Sequence, residues 1–153
     1  FNIAGSYSYE QAIQVMKQMD SVDLQPSLEQ QYRRMVFNIV ARNQDDHTKN
    51  IAFLMDRSGR WFLSPAFDMT YNYNPAGEWT SQHQMSVNGK RDGIVKDDLL
   101  QDDKGANLSG RKAKLIIEDG LGVVGMWVSF AKRGCVDEAK EKELAEHHSL
   151  KLA

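Results

Sequence analysis

Apolar positions recur at helical spacing near both ends of the chain and at strand spacing in a short stretch between them. Ala12, Val15, Met16 and Met19 follow Ser8 and Gln11, whose three-residue separation is that of a capping box, so a helix of about three turns begins there. The segment SVDLQP breaks it. Ser27 and Gln30 repeat the capping spacing just after Pro26. Leu28, Tyr32, Met35, Val36, Ile39 and Val40 then set one stripe against a core and leave Glu29, Arg33 and Arg34 for the outside or for ion pairs. This second helix ends near Ala41. In IAFLMDRSGRWFLS two short apolar runs flank DRSG, which predicts a β-hairpin from its turn residues and its Ile, Phe, Trp and Leu. From Thr70 to Asp92 the chain turns polar, with NPAG and NGKR as turn signals and one short strand in HQMSV. From Val95 the pattern is helical again: a short helix in KDDLL, a long one from Ser109 to about Lys132 carrying Leu115, Ile116, Leu121, Val124, Trp127 and Val128, and a charged one in VDEAKEKELAEHH. The expectation is a mainly α-helical domain with a small β-hairpin.

Length and charge narrow the field. A chain of 153 residues suits one domain with a real core or one piece of a larger protein. It opens at Phe1 in mid-pattern, without an initiating Met or a signal core, and reads as a fragment. Nineteen basic against 21 acidic side chains give nothing global that argues for nucleic acid or a membrane surface. The longest apolar stretch, Leu121 to Phe130, is broken by Gly122, Gly125 and Ser129, short of the roughly 20 residues of a membrane span. Cys135 stands alone, which fits a reducing cytoplasm, and without a Cys or His at ligand spacing it reads as inert. By default Trp61, Phe62, Phe67 and the methionines are core, His83 is a surface or hydrogen-bonded histidine, and His147 and His148 are solvated. Arg111, Lys112 and Lys114, three basic residues at a helix start, read by default as without a specific role, with a partner patch as the alternative, and Glu138 pairs with Lys142 at helical spacing.

The chemistry concentrates in NQDDHTKN, residues 43 to 50, in a loop directly after the buried second helix. A clustered Asp-Asp-His at such a place is often no more than a solvated helix end. Phosphoryl transfer, however, needs a carboxylate to orient the acceptor hydroxyl, and an amide plus a second carboxylate to hold Mg²⁺ against nucleotide phosphates. The protein-kinase catalytic loop places its Asp five residues before its Asn. Asp45 and Asn50 have this spacing, and after a strand, a turn and a strand the run SPAFDM supplies the second carboxylate, Asp68. The rival reading is a metal-dependent hydrolase or oxygenase with Asp45, His47 and Asp68 on a transition metal. That reading lacks a further histidine and leaves Asn50 unexplained; metal preference separates the two, Mg²⁺ or Mn²⁺ with ATP against Zn²⁺ or Fe²⁺ without it.

The run VFNIVARNQDDHTKNIAFLMDRSGRWFLSPAFDMT, with HQMSVNGKRDGI and LSGRKAKLIIED downstream, resembles the carboxy-terminal part of the HipA-like serine/threonine kinases, toxins of bacterial toxin–antitoxin modules. The resemblance covers essentially the whole chain. It implies the α-helical large lobe of a protein-kinase-like fold over residues 1–153, with the small nucleotide-binding lobe upstream of Phe1. It implies Asp45 as catalytic base, Asn50 and Asp68 as Mg²⁺ ligands, and His47 and Lys49 against the ATP phosphates, while the position of Asp46 need not be acidic. Asn43 and Gln44 stand where other kinases have His-Arg, and Phe67-Asp68-Met69 stands where they have Asp-Phe-Gly. The implied partners are a bacterial protein substrate, for instance an aminoacyl-tRNA synthetase of the translation machinery, and a helix-turn-helix antitoxin. A kinase-derived module that holds such a partner without catalysing is the alternative from the binding class.

Overall fold

The computed structural model describes residues 3–19, 22–101 and 104–152. Its first helix, α1 (Tyr9–Gln18), starts at the capping box read from the sequence: the Ser8 hydroxyl accepts from the Gln11 amide, and the Gln11 side chain returns to the Ser8 amide. Its buried face is Tyr9, Ile13 and Met16, a clean i, i+4, i+7 stripe, so Val15 lies outside at 55% exposure. The second helix, α2 (Leu24–Val40), begins four residues earlier than the capping spacing at Ser27 suggested, with Asp23 and not Ser27 at its N-cap. Pro26 sits in its first turn, where a missing N–H leaves no helical bond unmade. Asp23 stands at the N-cap without a side-chain bond.

Leu28, Tyr32, Met35, Val36, Ile39 and Val40 are all buried, as their spacing required. Arg34 is the exception to the outward assignment, being 7% exposed. Glu29 and Arg33 do form ion pairs, Arg33 with Glu29 at 3.2 Å and with Asp119 at 3.3 Å, and Glu29 also meets Lys112 at 3.0 Å.

The hairpin follows. Strands β1 (Phe53–Met55) and β2 (Trp61–Leu63) pair antiparallel in the register Phe53 to Leu63. Its turn is closed by the Asp56 carboxylate, which accepts from the Ser58 and Arg60 amides, while Gly59 takes φ +85°. Trp61 and Phe62 are half-buried, but Phe67 is 43% exposed and Met55 and Met126 are also outside, so these do not all belong to the core. HQMSV forms no strand. Its residues join the fold through isolated bridges, Ser86 to Ser8 and Val87 to Lys90, and through the buried side chains of His83, Gln84, Met85 and Val87.

The short helix α3 (Lys96–Gln101) lies where KDDLL predicted it. The long helix is two, α4 (Gly110–Gly125) and α5 (Trp127–Arg133), meeting at Met126. The break turns α5 onto the last helix, α6 (Glu138–His147), where the Trp127 indole N–H donates to the Glu141 carbonyl at 2.9 Å. Ile116 and Val124 are buried as expected and Ala113 and Ile117 complete the face, but Leu115 and Val128 point outward. Close packing of α4 on α2 explains Gly120: a Cβ there would stand 2.8 Å from Val36 Cγ1.

His147 and His148 are not solvated. The Tyr71 hydroxyl lies 2.7 Å from His147 Nδ1, His148 meets the Trp127 ring edge-on, and burial followed by the neighbouring His147 pushes the His148 pKa down. The architecture is thus mainly helical with one two-stranded antiparallel sheet among the described residues. None of the described helices is long and apolar enough to cross a membrane.

Candidate functional site

After α2 the chain turns sharply at Arg42, φ +57°, and runs back along the segment at Asn72: Asn72 N–H donates to the Arg42 carbonyl and Gln44 N–H to the Asn72 carbonyl. Asp46 then points inward. One of its oxygens accepts from the Tyr9 hydroxyl at 2.7 Å and lies 2.9 Å from His83 Nδ1, and the other accepts from the Gln84 N–H at 2.7 Å. Burial, and next the Asp46 charge, pushes the Tyr9 phenol well above its ordinary pKa, so it stays a donor. Tyr9 in turn accepts from Asn38 of α2 at 2.9 Å. Asp46, whose position need not be acidic for the chemistry, is therefore the anchor that ties the loop to α1, to α2 and to the segment of His83.

With Asp46 held inside, its neighbours face the other way. The Asp45 side chain is 39% exposed, and the His47 ring, at 17%, sets Nε2 3.8 Å from Asp45 Oδ1, beyond hydrogen-bond range. A 3-10 turn (Thr48–Asn50) follows, with Lys49 exposed on it. The hairpin leaves this turn and returns, and its return brings Asp68 home: Asn50 Nδ2 donates to Asp68 Oδ2 at 3.1 Å and to the Asp45 carbonyl at 3.1 Å. Asp68 has φ +55°, a left-handed conformation that Asp tolerates better than most residues, and its carbonyl accepts from Asn43 Nδ2 at 3.2 Å.

His47, Asn50 and Asp68 thus line one small cavity, with the Asp45 backbone bonded to Asn50 and Lys49 on the exposed face of the same turn. Because the Asn50 nitrogen is engaged twice, the oxygen of that amide is the donor atom left for a ligand. An amide oxygen beside a carboxylate is a pair of hard donors, suited to Mg²⁺ and not to a soft metal. Among the described residues no three His, Cys, Asp or Glu side chains gather as a metal set, which the rival site of Asp45, His47 and Asp68 would require.

Beneath lies a layer that the sequence pattern did not disclose. Gln31, Arg34 and Asn38 of α2 and Asn43 of the loop are all buried, and they form a polar floor under the Asn50–Asp68 contact. Each occupies a position that polarity alone assigns to solvent. The available signal was the helical register, since 31, 34 and 38 share one face of α2.

Comparison with known proteins agrees with this geometry at the level of family. No curated protein matches the chain. A family model described as the HipA-like C-terminal domain matches residues 2–127, which includes the acidic loop, the hairpin, Asp68 and α4. The match spans well over half of the chain, and the chain belongs to the HipA-like C-terminal domain family.

Proposed function

We propose that this chain is the catalytic large-lobe portion of a HipA-like serine/threonine kinase, transferring the γ-phosphoryl group of ATP to a hydroxyl of a bacterial protein. The observation that carries the reading is the Asn50 to Asp68 hydrogen bond of 3.1 Å, which joins two residues 18 apart in sequence beside the backbone of Asp45. Amide, carboxylate and a second, solvent-facing carboxylate are the three groups that phosphoryl transfer asks of this lobe.

In this reading Asp45 orients the acceptor hydroxyl and takes its proton, for which its partly exposed position in the loop is suited. Asn50 and Asp68 hold Mg²⁺, which when bound neutralises phosphate charge and fixes the nucleotide. Lys49, exposed on the 3-10 turn, reaches the phosphates as a point charge. His47, at 17% exposure, lies mostly inside the site beside Asp45, and the resemblance to the family gives it a contact with the phosphates. Covering of the phosphates falls to the small lobe, which positioning and electrostatics both require.

The test uses the full protein that contains this chain, measuring phosphate incorporation into protein from labelled ATP. Asp45→Asn is expected to lower the rate by about 10²- to 10⁴-fold, the span of a positioned general base. Unchanged incorporation together with unchanged growth inhibition would favour a non-catalytic, partner-holding role.

A further inference from the structure

Arg34 is an unusual residue to find in the core stripe of a helix. It is 7% exposed, burial pushes its pKa down, and among the described residues its guanidinium makes one hydrogen bond, Nη2 to the Ser64 carbonyl at 2.5 Å. Its Nε and Nη1 have no partner among the described residues. A buried cation so sparsely satisfied is a poor stabiliser compared with an apolar residue of the same volume. Its presence calls for a local role.

The place it acts on is defined at both ends. Ser64 closes the hairpin, its N–H donating to the Ala52 carbonyl at 2.9 Å, while its carbonyl is held by Arg34. Four residues later the Asp68 carbonyl is held by Asn43 Nδ2. Between these clamps Pro65, Ala66 and Phe67 arch outward and are exposed, and Asp68 takes its left-handed backbone. A chamber of about 20 Å³ lies beneath, bounded by Gln31, Arg34, Asn43, His47 and Asp68 among others. These same residues carry unpartnered Gln31 Oε1, Asn43 Oδ1 and His47 Nδ1 besides the two guanidinium nitrogens. Donors and acceptors are thus matched around a space that suits one water, which needs about 10–15 Å³ and two to four polar partners.

We propose that Arg34 is a positioning residue for Asp68: it fixes one end of the arch through the Ser64 carbonyl and, through a single bridging water, steadies the Asn43 amide that fixes the other. The consequence for ligand binding rests on the reading of Asp68 as a metal ligand. In this role Arg34 acts from beneath, by keeping the Asp68 carboxylate beside Asn50.

The experiment compares Arg34→Lys and Arg34→Met with the parent full protein by NMR order parameters of the backbone at residues 66–69 and by Mn²⁺ affinity in calorimetry, with Asp68→Asn as the reference for a lost ligand. Lys keeps the charge but not the planar fork; it is expected to remain folded, to lower the order parameters at 66–69 toward the flexible range below about 0.6, and to bind Mn²⁺ more weakly by up to about tenfold. Unchanged order at 66–69 in folded Arg34→Lys overturns the proposal, and so does lost order with unchanged Mn²⁺ affinity. Should Arg34→Met fail to fold, Arg34→Lys alone decides. If the parent binds Mn²⁺ no better than Asp68→Asn, the metal reading falls, and the order parameters then judge the positioning role by themselves.

Discussion

Asp45 and Asp46 are the same residue type side by side, and the fold uses them in opposite ways. Asp46, 2% exposed, is the common acceptor for Tyr9, His83 and the Gln84 amide; Asp45 keeps its carboxylate partly in water. Removing the first therefore leaves three buried polar groups without an acceptor, whereas removing the second leaves none. Asp46→Ala is expected to lower unfolding free energy by about 3–5 kcal/mol. Asp45→Ala should stay within about 0.5 kcal/mol of the parent, and denaturant unfolding of both variants separates the anchor from its partly exposed neighbour. Charge patterning made the pair visible but did not say which member faces inward, because that depends on Tyr9 and His83, 37 positions away on either side. The contact of Asn50 with Asp68 was legible for a different reason: the kinase pattern against which they were read has a fixed order and spacing along the chain. Arg34 was illegible because polarity assigns an arginine to solvent, and only the chamber at its end explains the exception.

Elements were legible where the signal is local and blurred where a neighbour decides. The Ser8–Gln11 box and the DRSG turn depend on contacts within a few residues, and both appear as read. The start of α2 was displaced because Pro26 is acceptable inside a first turn as well as before it. The division of the long helix at Met126 comes from tertiary packing, since α5 turns to meet α6 and Gly120 lets α4 approach Val36. HQMSV alternates like a strand but pairs with no continuous partner, and its buried residues serve as supports for Asp46 and the core.

One titrating group belongs to this scale, Asp98 of α3. Burial pushes its pKa up, but the Lys90 ammonium at 2.8 Å, the Val95 N–H at 2.9 Å and the Asn88 amide at 2.8 Å outweigh it and hold it below the usual carboxylate range. A folded-state pKa that is depressed contributes stability above the unfolded value, about 3.9, and loses it as pH falls through the folded one. Asp98→Asn should thus destabilise by about 1–3 kcal/mol at pH 7, with the gap from the parent narrowing below about pH 4 in unfolding measured across that range.

At the scale of the molecule, α2 is the axis on which the rest is hung. Helices α1 and α4 pack against it, the Ser149 N–H reaches the Val40 carbonyl at its end, and Arg42 just beyond donates to the His147 carbonyl. The loop that carries Asp45 therefore leaves a helix end held from both termini of the chain. The proposed function would give this rigidity a reason, since phosphoryl transfer works by placement more than by covalent participation.

The hairpin between Asn50 and Asp68 behaves like a tape measure that runs out and is reeled back, with strands of only three residues on each side. Its length is immaterial as long as both directions match. Two residues added to each strand would extend its tip by about 7 Å and leave both ends where they are. One residue added to a single strand would turn the later side chains to the opposite face. With Asn50 and Asp68 holding the metal as proposed, symmetric lengthening is expected to preserve Mn²⁺ affinity in calorimetry, and a one-residue insertion beside Leu63 to abolish it. Relatives of this domain are then free to differ in the reach of this finger, in paired steps, without disturbing the two residues at its base.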